Sequence, residues 1–80
     1  MNTTEQLYKV IAKALDISTE IITDQLEYQS IVEWDSMSHL ILVEALETTY
    51  NIEIETEDIL EMSTVAKLKD VLKKKNIEMI

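Results

Sequence analysis

Apolar residues at Leu7, Val10, Ile11, Ala14 and Leu15 follow the i, i+3, i+4, i+7, i+8 spacing of a helix with one buried face. Thr3 or Thr4 can cap its start. Glu5 falls in its first turn and Lys13 in its last, the charge order that helix ends favour. Between Asp16 and Asp35 the period fades, with Ile17, Ile21, Ile22, Leu26 and Ile31 scattered among polar residues. A connection this long in a small domain holds a helical turn or serves a site. A short turn around Thr19–Leu26 is expected, its apolar side chains pinning the loop over the core.

Periodicity returns after Asp35, which can accept the free N–H groups of a first turn. The pattern predicts a second helix from Ser36 to about Tyr50, with a stripe of Met37, Leu40, Val43 (or Leu42), Leu46 and Tyr50. Asn51 then supplies a residue that tolerates the left-handed conformation, in a chain with no glycine and no proline. Ile52-Glu53-Ile54-Glu55 alternates like a strand but has no partner to pair with, so it reads as an extended connector with both isoleucines inward. Thr56 is placed to cap a short helix with Glu57 and Asp58 in its first turn and Ile59, Leu60 and Met62 on its apolar side. Ser63 or Thr64 starts a last helix with Val65, Leu68, Val71 and Leu72 inward and Lys67, Lys69 and Lys73–Lys75 on its outer face and end. The fold class is all-α: a small irregular four-helix bundle of three main helices and one short one. It forms a single domain over residues 1–80, with frayed ends expected at about 1–3 and 76–80.

Composition narrows the function. The chain is 46% hydrophobic, enough for one core, and has neither cysteine nor more than one histidine, which leaves no disulfide framework and no zinc spacing. Its net charge is −9, and no basic residue lies between Lys13 and Lys67. Such a body repels phosphate backbones, so nucleic acid is not an expected partner. The charge can keep a small protein soluble and monomeric, and it can steer partners that carry basic docking patches. No stretch approaches the roughly 18 apolar residues of a membrane span, and Met1–Glu5 lacks the basic region of a signal peptide. A cytoplasmic protein is the expectation.

Catalytic readings find little support. His39 lies three residues after Ser36, but two side chains one turn apart on a single helix rarely meet in catalytic geometry, and a bundle this small offers no deep pocket. His39 is expected to be partly exposed or to contact a partner. Acid pairs such as Glu53/Glu55 and Glu57/Asp58 follow from composition alone. Without glycine there is no calcium loop and no phosphate-cradling loop. What remains is Glu33-Trp34-Asp35-Ser36-Met37, which sets a hydroxyl in the first turn of a helix after a long loop. Asp-Ser is also an ordinary helix start. A phosphate esterified to that serine would lie beside free N–H groups and the positive end of the helix dipole.

Trp34-Asp35-Ser36-Met37, the helix running through Leu40, Val43, Ala45, Leu46 and Glu47 to Tyr50, the connector Ile52-x-Ile54, and Met62-Ser63-Thr64-Val65 followed by Leu68 and Leu72 resemble acyl carrier proteins and peptidyl carrier domains. The resemblance covers nearly the whole chain without gaps. It implies that Ser36 receives 4'-phosphopantetheine from coenzyme A, transferred by a separate phosphopantetheinyl transferase that uses magnesium. It implies that Asp35 helps that enzyme position itself and its metal. It further implies a protein that is not an enzyme, holds no metal of its own, and carries acyl or aminoacyl groups as thioesters among loading ligases, synthases and transferases. Met37, His39, Ile41, Glu44 and Glu47 on the recognition helix, with Glu53, Glu57 and Asp58 nearby, are the candidate partner contacts. Leu46, Ile54, Ile59, Met62 and Val65 are candidates to shelter cargo, or plain core.

The sequence departs from the commonest fatty-acid pattern. Glu33 and Trp34 stand where glycine is usual, and Ser38, His39, Ile41 and Leu42 make the recognition helix less acidic. The Trp-Asp-Ser form resembles stand-alone carriers of dedicated pathways such as polyketide, peptide or cell-surface saccharide assembly. The competing expectation is an acidic helical adaptor that is never modified.

Overall fold

The computed structural model describes residues 3–77. Four α-helices form the bundle: α1 over Thr4–Leu15, α2 over Ser36–Tyr50, α3 over Thr56–Glu61 and α4 over Val65–Lys74, with a 3-10 turn at Thr19–Ile21. No sheet forms among the described residues; one isolated antiparallel bridge joins Glu27 to Thr64. The all-α expectation holds.

Thr3 caps α1, its hydroxyl accepting from the Gln6 N–H at 3.0 Å. Leu7, Ile11 and Leu15 are buried as expected, but Ala12 joins them while Val10 and Ala14 are only half-buried. In α2 the stripe is shifted from the one expected. His39, Leu42, Val43, Leu46 and Tyr50 face inward, whereas Met37 and Leu40 are 72% and 60% exposed. Leu40-Ile41-Leu42-Val43 is apolar on every side of the helix, so its pattern alone does not select a face. The fully buried Trp34 just before the helix turns His39 inward instead.

Three helix ends share one device. Asp16, Asn51 and Asn76 take left-handed φ values of 57°, 54° and 68°, and each is followed by an isoleucine. The N–H of Ile17, Ile52 and Ile77 then reaches back five residues to the carbonyl of Ala12, Glu47 and Leu72. This is the Schellman closure, with the isoleucine packed against the core, built without glycine. The closure includes Asn76 and Ile77, and Thr3 serves as a cap, all within the expected ends. The remaining expected ends, 1–2 and 78–80, lie outside the described residues.

The long connection is seated on α4. Carbonyls of Leu26 and Asp24 accept the first-turn N–H groups of Val65 and Ala66 at 3.1 and 3.0 Å, and the Thr64 hydroxyl takes that of Lys67 at 3.1 Å. The donors that a helix start leaves unpaired are thereby satisfied by the loop. Asp24 also accepts from Lys69 at 2.6 Å and from the Tyr8 hydroxyl at 3.1 Å, tying the loop to α1 and α4. Lys69 is thus not on the outer face that its sequence position suggested.

α3 corrects a further expectation. Thr56 is its first residue and Glu55 its N-cap, with no side-chain capping bond. The short helix is held by Asp58, which is buried and pairs with Lys74 at 2.7 Å and Lys75 at 3.2 Å. The connector before it is extended, with Ile54 buried and Ile52 half-buried, as the alternation implied.

Candidate functional site

The loop and α2 meet at Ser36. Asp35 has extended backbone angles, and its Oδ1 accepts the Ser38 N–H at 2.9 Å while its carbonyl accepts the His39 N–H at 2.8 Å. The Ser38 backbone N–H, aided by the Ser38 hydroxyl, holds the Asp35 carboxyl below the usual carboxylate range. An ionised carboxylate therefore stands beside Ser36, whose own hydroxyl is exposed and not used as the cap.

The approach loop is closed on itself. Gln29, at φ 67°, donates its N–H to the Trp34 carbonyl at 2.9 Å, and Trp34 donates its own to Ile31 at 3.2 Å. This fold-back brings Tyr28 next to the helix start, with its hydroxyl 3.0 Å from Ser36 Oγ. Beneath lies an aromatic platform. Trp34 Nε1–H donates to His39 Nδ1 at 3.0 Å, and the opposite nitrogen, Nε2, lies 3.0 Å from the Ile59 carbonyl. Because Nδ1 accepts, the proton of the neutral ring is on Nε2, which donates to Ile59. The Tyr28 ring stands edge-on to Trp34, with centroids 6.2 Å apart, and 4.9 Å from the His39 ring.

Beside Ser36 runs a groove of about 250 Å³ between α2 and α3, lined by Tyr28, Leu40, Ile59, Leu60, Met62 and Ser63 among others. It is mostly apolar, and the exposed Ser36 forms part of its wall.

A family model described as "Phosphopantetheine attachment site" matches residues 5–72. The chain is 34% identical over 77 residues to an acyl carrier protein of Buchnera aphidicola subsp. Acyrthosiphon pisum (strain Tuc7), with 96% of each chain covered. To the acyl carrier protein of Buchnera aphidicola subsp. Schizaphis graminum (strain Sg) it is 32% identical over 75 residues, covering 94% of this chain and 95% of that one. The solution NMR structure of a holo acyl carrier protein from Geobacter metallireducens superposes with a TM-score of 0.81 at 28% identity, over 95% of this chain and 87% of that one. Fold, site and matches define a small helical carrier rather than a catalyst. The chain belongs to the phosphopantetheine-binding acyl carrier protein family.

The sequence candidates divide in space. Ser36, Met37, Ile41, Glu44, Glu53 and Glu57 are exposed. Ile41 borders a second groove, between α1 and α2. His39 was expected at the surface and is instead 7% exposed, with both ring nitrogens committed. Asp58 is likewise buried and neutralised by two lysines, so it offers partners no free carboxylate. Glu47 is half-buried, and its Oε2 accepts the Ile54 N–H at 2.9 Å, closing the connector after α2. Of the cargo-lining candidates, Ile59 and Met62 border the groove, while Leu46, Ile54 and Val65 are core. Tyr28 was missed altogether. It lies eight residues before the serine in the sequence, and nothing in a one-dimensional pattern announces the fold-back at Gln29.

Proposed function

We propose that Ser36 is the attachment point for 4'-phosphopantetheine and that the protein ferries acyl or aminoacyl groups as thioesters on that arm. The observation that carries this reading is the exposed Ser36 hydroxyl at the head of α2, beside a capped and ionised Asp35, inside the stretch that matches the attachment-site family. In the loading reaction Oγ attacks the pyrophosphate phosphorus of coenzyme A nearer the pantetheine. A serine phosphodiester forms, adenosine 3',5'-bisphosphate leaves, and the serine proton passes to a base of the transferase. The arm supplies the thiol that this cysteine-free chain lacks. Asp35, exposed and anionic, is suited to meet the transferase and its magnesium. The partners are that transferase, a loading ligase, and the synthases or transferases that take the cargo on. The cargo belongs to a dedicated lipid, polyketide, peptide or related pathway, and the site of action is the cytoplasm, where coenzyme A is at hand.

Intact-protein mass measured before and after incubation with coenzyme A, magnesium and a broad-specificity phosphopantetheinyl transferase tests the reading. A gain of one arm in the parent and none in Ser36→Ala is expected. A folded parent that gains nothing with several transferases would overturn it.

A further inference from the structure

Tyr28 is a positioned hydroxyl without an assigned role. Its ring is fixed from three directions: edge-on against the buried Trp34, over the ring of the buried His39, and by its own backbone N–H, which donates to the Ser63 carbonyl at 2.9 Å. His39 is in turn fixed by Trp34 Nε1 and the Ile59 carbonyl. A tyrosine has few torsions to freeze, so a ring gripped in this way presents its hydroxyl at a defined place at little entropic cost. That place is 3.0 Å from Ser36 Oγ.

We propose that Tyr28 is a positioning residue for the arm's phosphate: its hydroxyl donates to a phosphodiester oxygen on Ser36 and turns the arm toward the groove between α2 and α3. This rests on Ser36 being the attachment point. In the unmodified chain either hydroxyl can donate across the 3.0 Å contact. Once Oγ is esterified it has no proton, and only the tyrosine can donate. The unbridged phosphate oxygens hang two bonds beyond Oγ, within reach of a small rotation of Ser36. They carry negative charge, so the bond is of the stronger, charge-assisted kind.

Among the side chains lining the groove, Tyr28 is the one whose hydroxyl the structure sets against Ser36 Oγ. The side chains lining the groove include no lysine or arginine, His39 has both nitrogens engaged, and the neighbouring Asp35 is itself anionic. Tyr28 and Ser36 line the same groove, with Leu40 and Leu60, so a phosphate held on the tyrosine side launches the arm along that apolar floor.

The test compares the full chain, loaded enzymatically with the arm, with loaded Tyr28→Phe. Phosphorus-31 NMR of the phosphodiester is the primary readout. Losing the hydroxyl is expected to move the phosphorus resonance toward that of a free pantetheine phosphodiester and to narrow it. Trp34 fluorescence and the unfolding midpoint should stay put, since the ring remains. Identical phosphorus spectra in the two proteins would overturn the proposal. A second measurement needs no variant: the carbon-13 resonance of the Tyr28 ring carbon bearing the hydroxyl should shift when the wild-type chain is loaded, and an unmoved signal would count equally against the contact. Failure of the wild type to accept the arm at all would instead sink the carrier reading, which keeps the two ideas separable.

Discussion

The Trp34 indole donates its N–H to Nδ1 of His39 across 3.0 Å, and through that imidazole it is linked to the Ile59 carbonyl of α3. One buried ring therefore joins the loop before Ser36, the helix that bears it and the short helix across the groove. Removing the imidazole orphans a donor on one side and an acceptor on the other. His39→Ala is expected to lower stability by at least about 1–3 kcal/mol, the usual cost of leaving a buried polar group unpaired. The chain has one tryptophan, so its fluorescence during urea unfolding reads the change directly. An unchanged midpoint would show that the network adds nothing to stability.

Acid should weaken the grip on α3. Hydrogen bonding from Lys74, then from Lys75, holds the Asp58 carboxyl below its ordinary value of 3.8. A depressed folded-state pKa means stability that is fully present above the unfolded value and is lost as pH falls through the folded one. The parent should therefore lose stability on acidification below about pH 4 more steeply than Asp58→Asn, which is weaker at neutral pH but lacks this titration. Urea midpoints collected from neutral to acid pH test it, and parallel curves would remove Asp58 from the account.

Docking should depend more on apolar contact than on salt bridges. Asp58 and Glu47 are committed internally, whereas Val32 is 91% exposed and Leu60 78%, joining Met37 and Leu40 on the elements that border Ser36. An enzyme that reaches the serine must cover some of these side chains. Leu60→Ser should leave stability within about 0.5 kcal/mol, as expected for an exposed position. It should raise the transferase KM for the chain, and added salt should change that KM little, since screening acts chiefly on exposed charges. A strong salt dependence with no effect of the substitution would restore the acidic surface as the determinant.

Tyr50 closes α2 with a buried hydroxyl that has no hydrogen-bond partner among the described residues. Burial pushes its phenol pKa upward, as expected for a group poorly placed to ionise. Tyr50→Phe keeps the ring and removes the orphan, so it should raise stability by about 1 kcal/mol. Thermal unfolding checks the sign; a drop would mean that the hydroxyl is satisfied in solution.

Where the sequence had contrast, it was readable. Thr3, Asp35 and Thr64 are caps because each precedes a periodic run, and Asn51 stands where such a run stops. Val65, Leu68, Val71 and Leu72 are all buried at helical spacing, and the exposed Lys67 and Asp70 between them mark the opposite face. Ser36 as the first residue of α2, behind the Asp35 cap, was legible for the same reason. α2 had no such contrast, and its exposed Met37 and Leu40 could not be told from its buried Leu42 and Val43 by spacing. His39, Asp58 and Tyr28 were misread or missed because their places depend on partners far along the chain: Ile59, Lys74 and the folded-back loop. A charged residue in a short acidic helix reads as surface until its counter-ions are seen.

The Asx-Ile endings of three helices also bear on chemical ageing. Asparagine and aspartate decay when the next backbone nitrogen attacks their side-chain carbonyl and closes a succinimide ring, fastest where glycine follows. Here the following residue is a branched isoleucine in each case, and the nitrogens of Ile17, Ile52 and Ile77 are already tied to Ala12, Glu47 and Leu72. The arrangement that ends the helices without glycine should therefore also slow succinimide formation at Asp16, Asn51 and Asn76 in the folded chain.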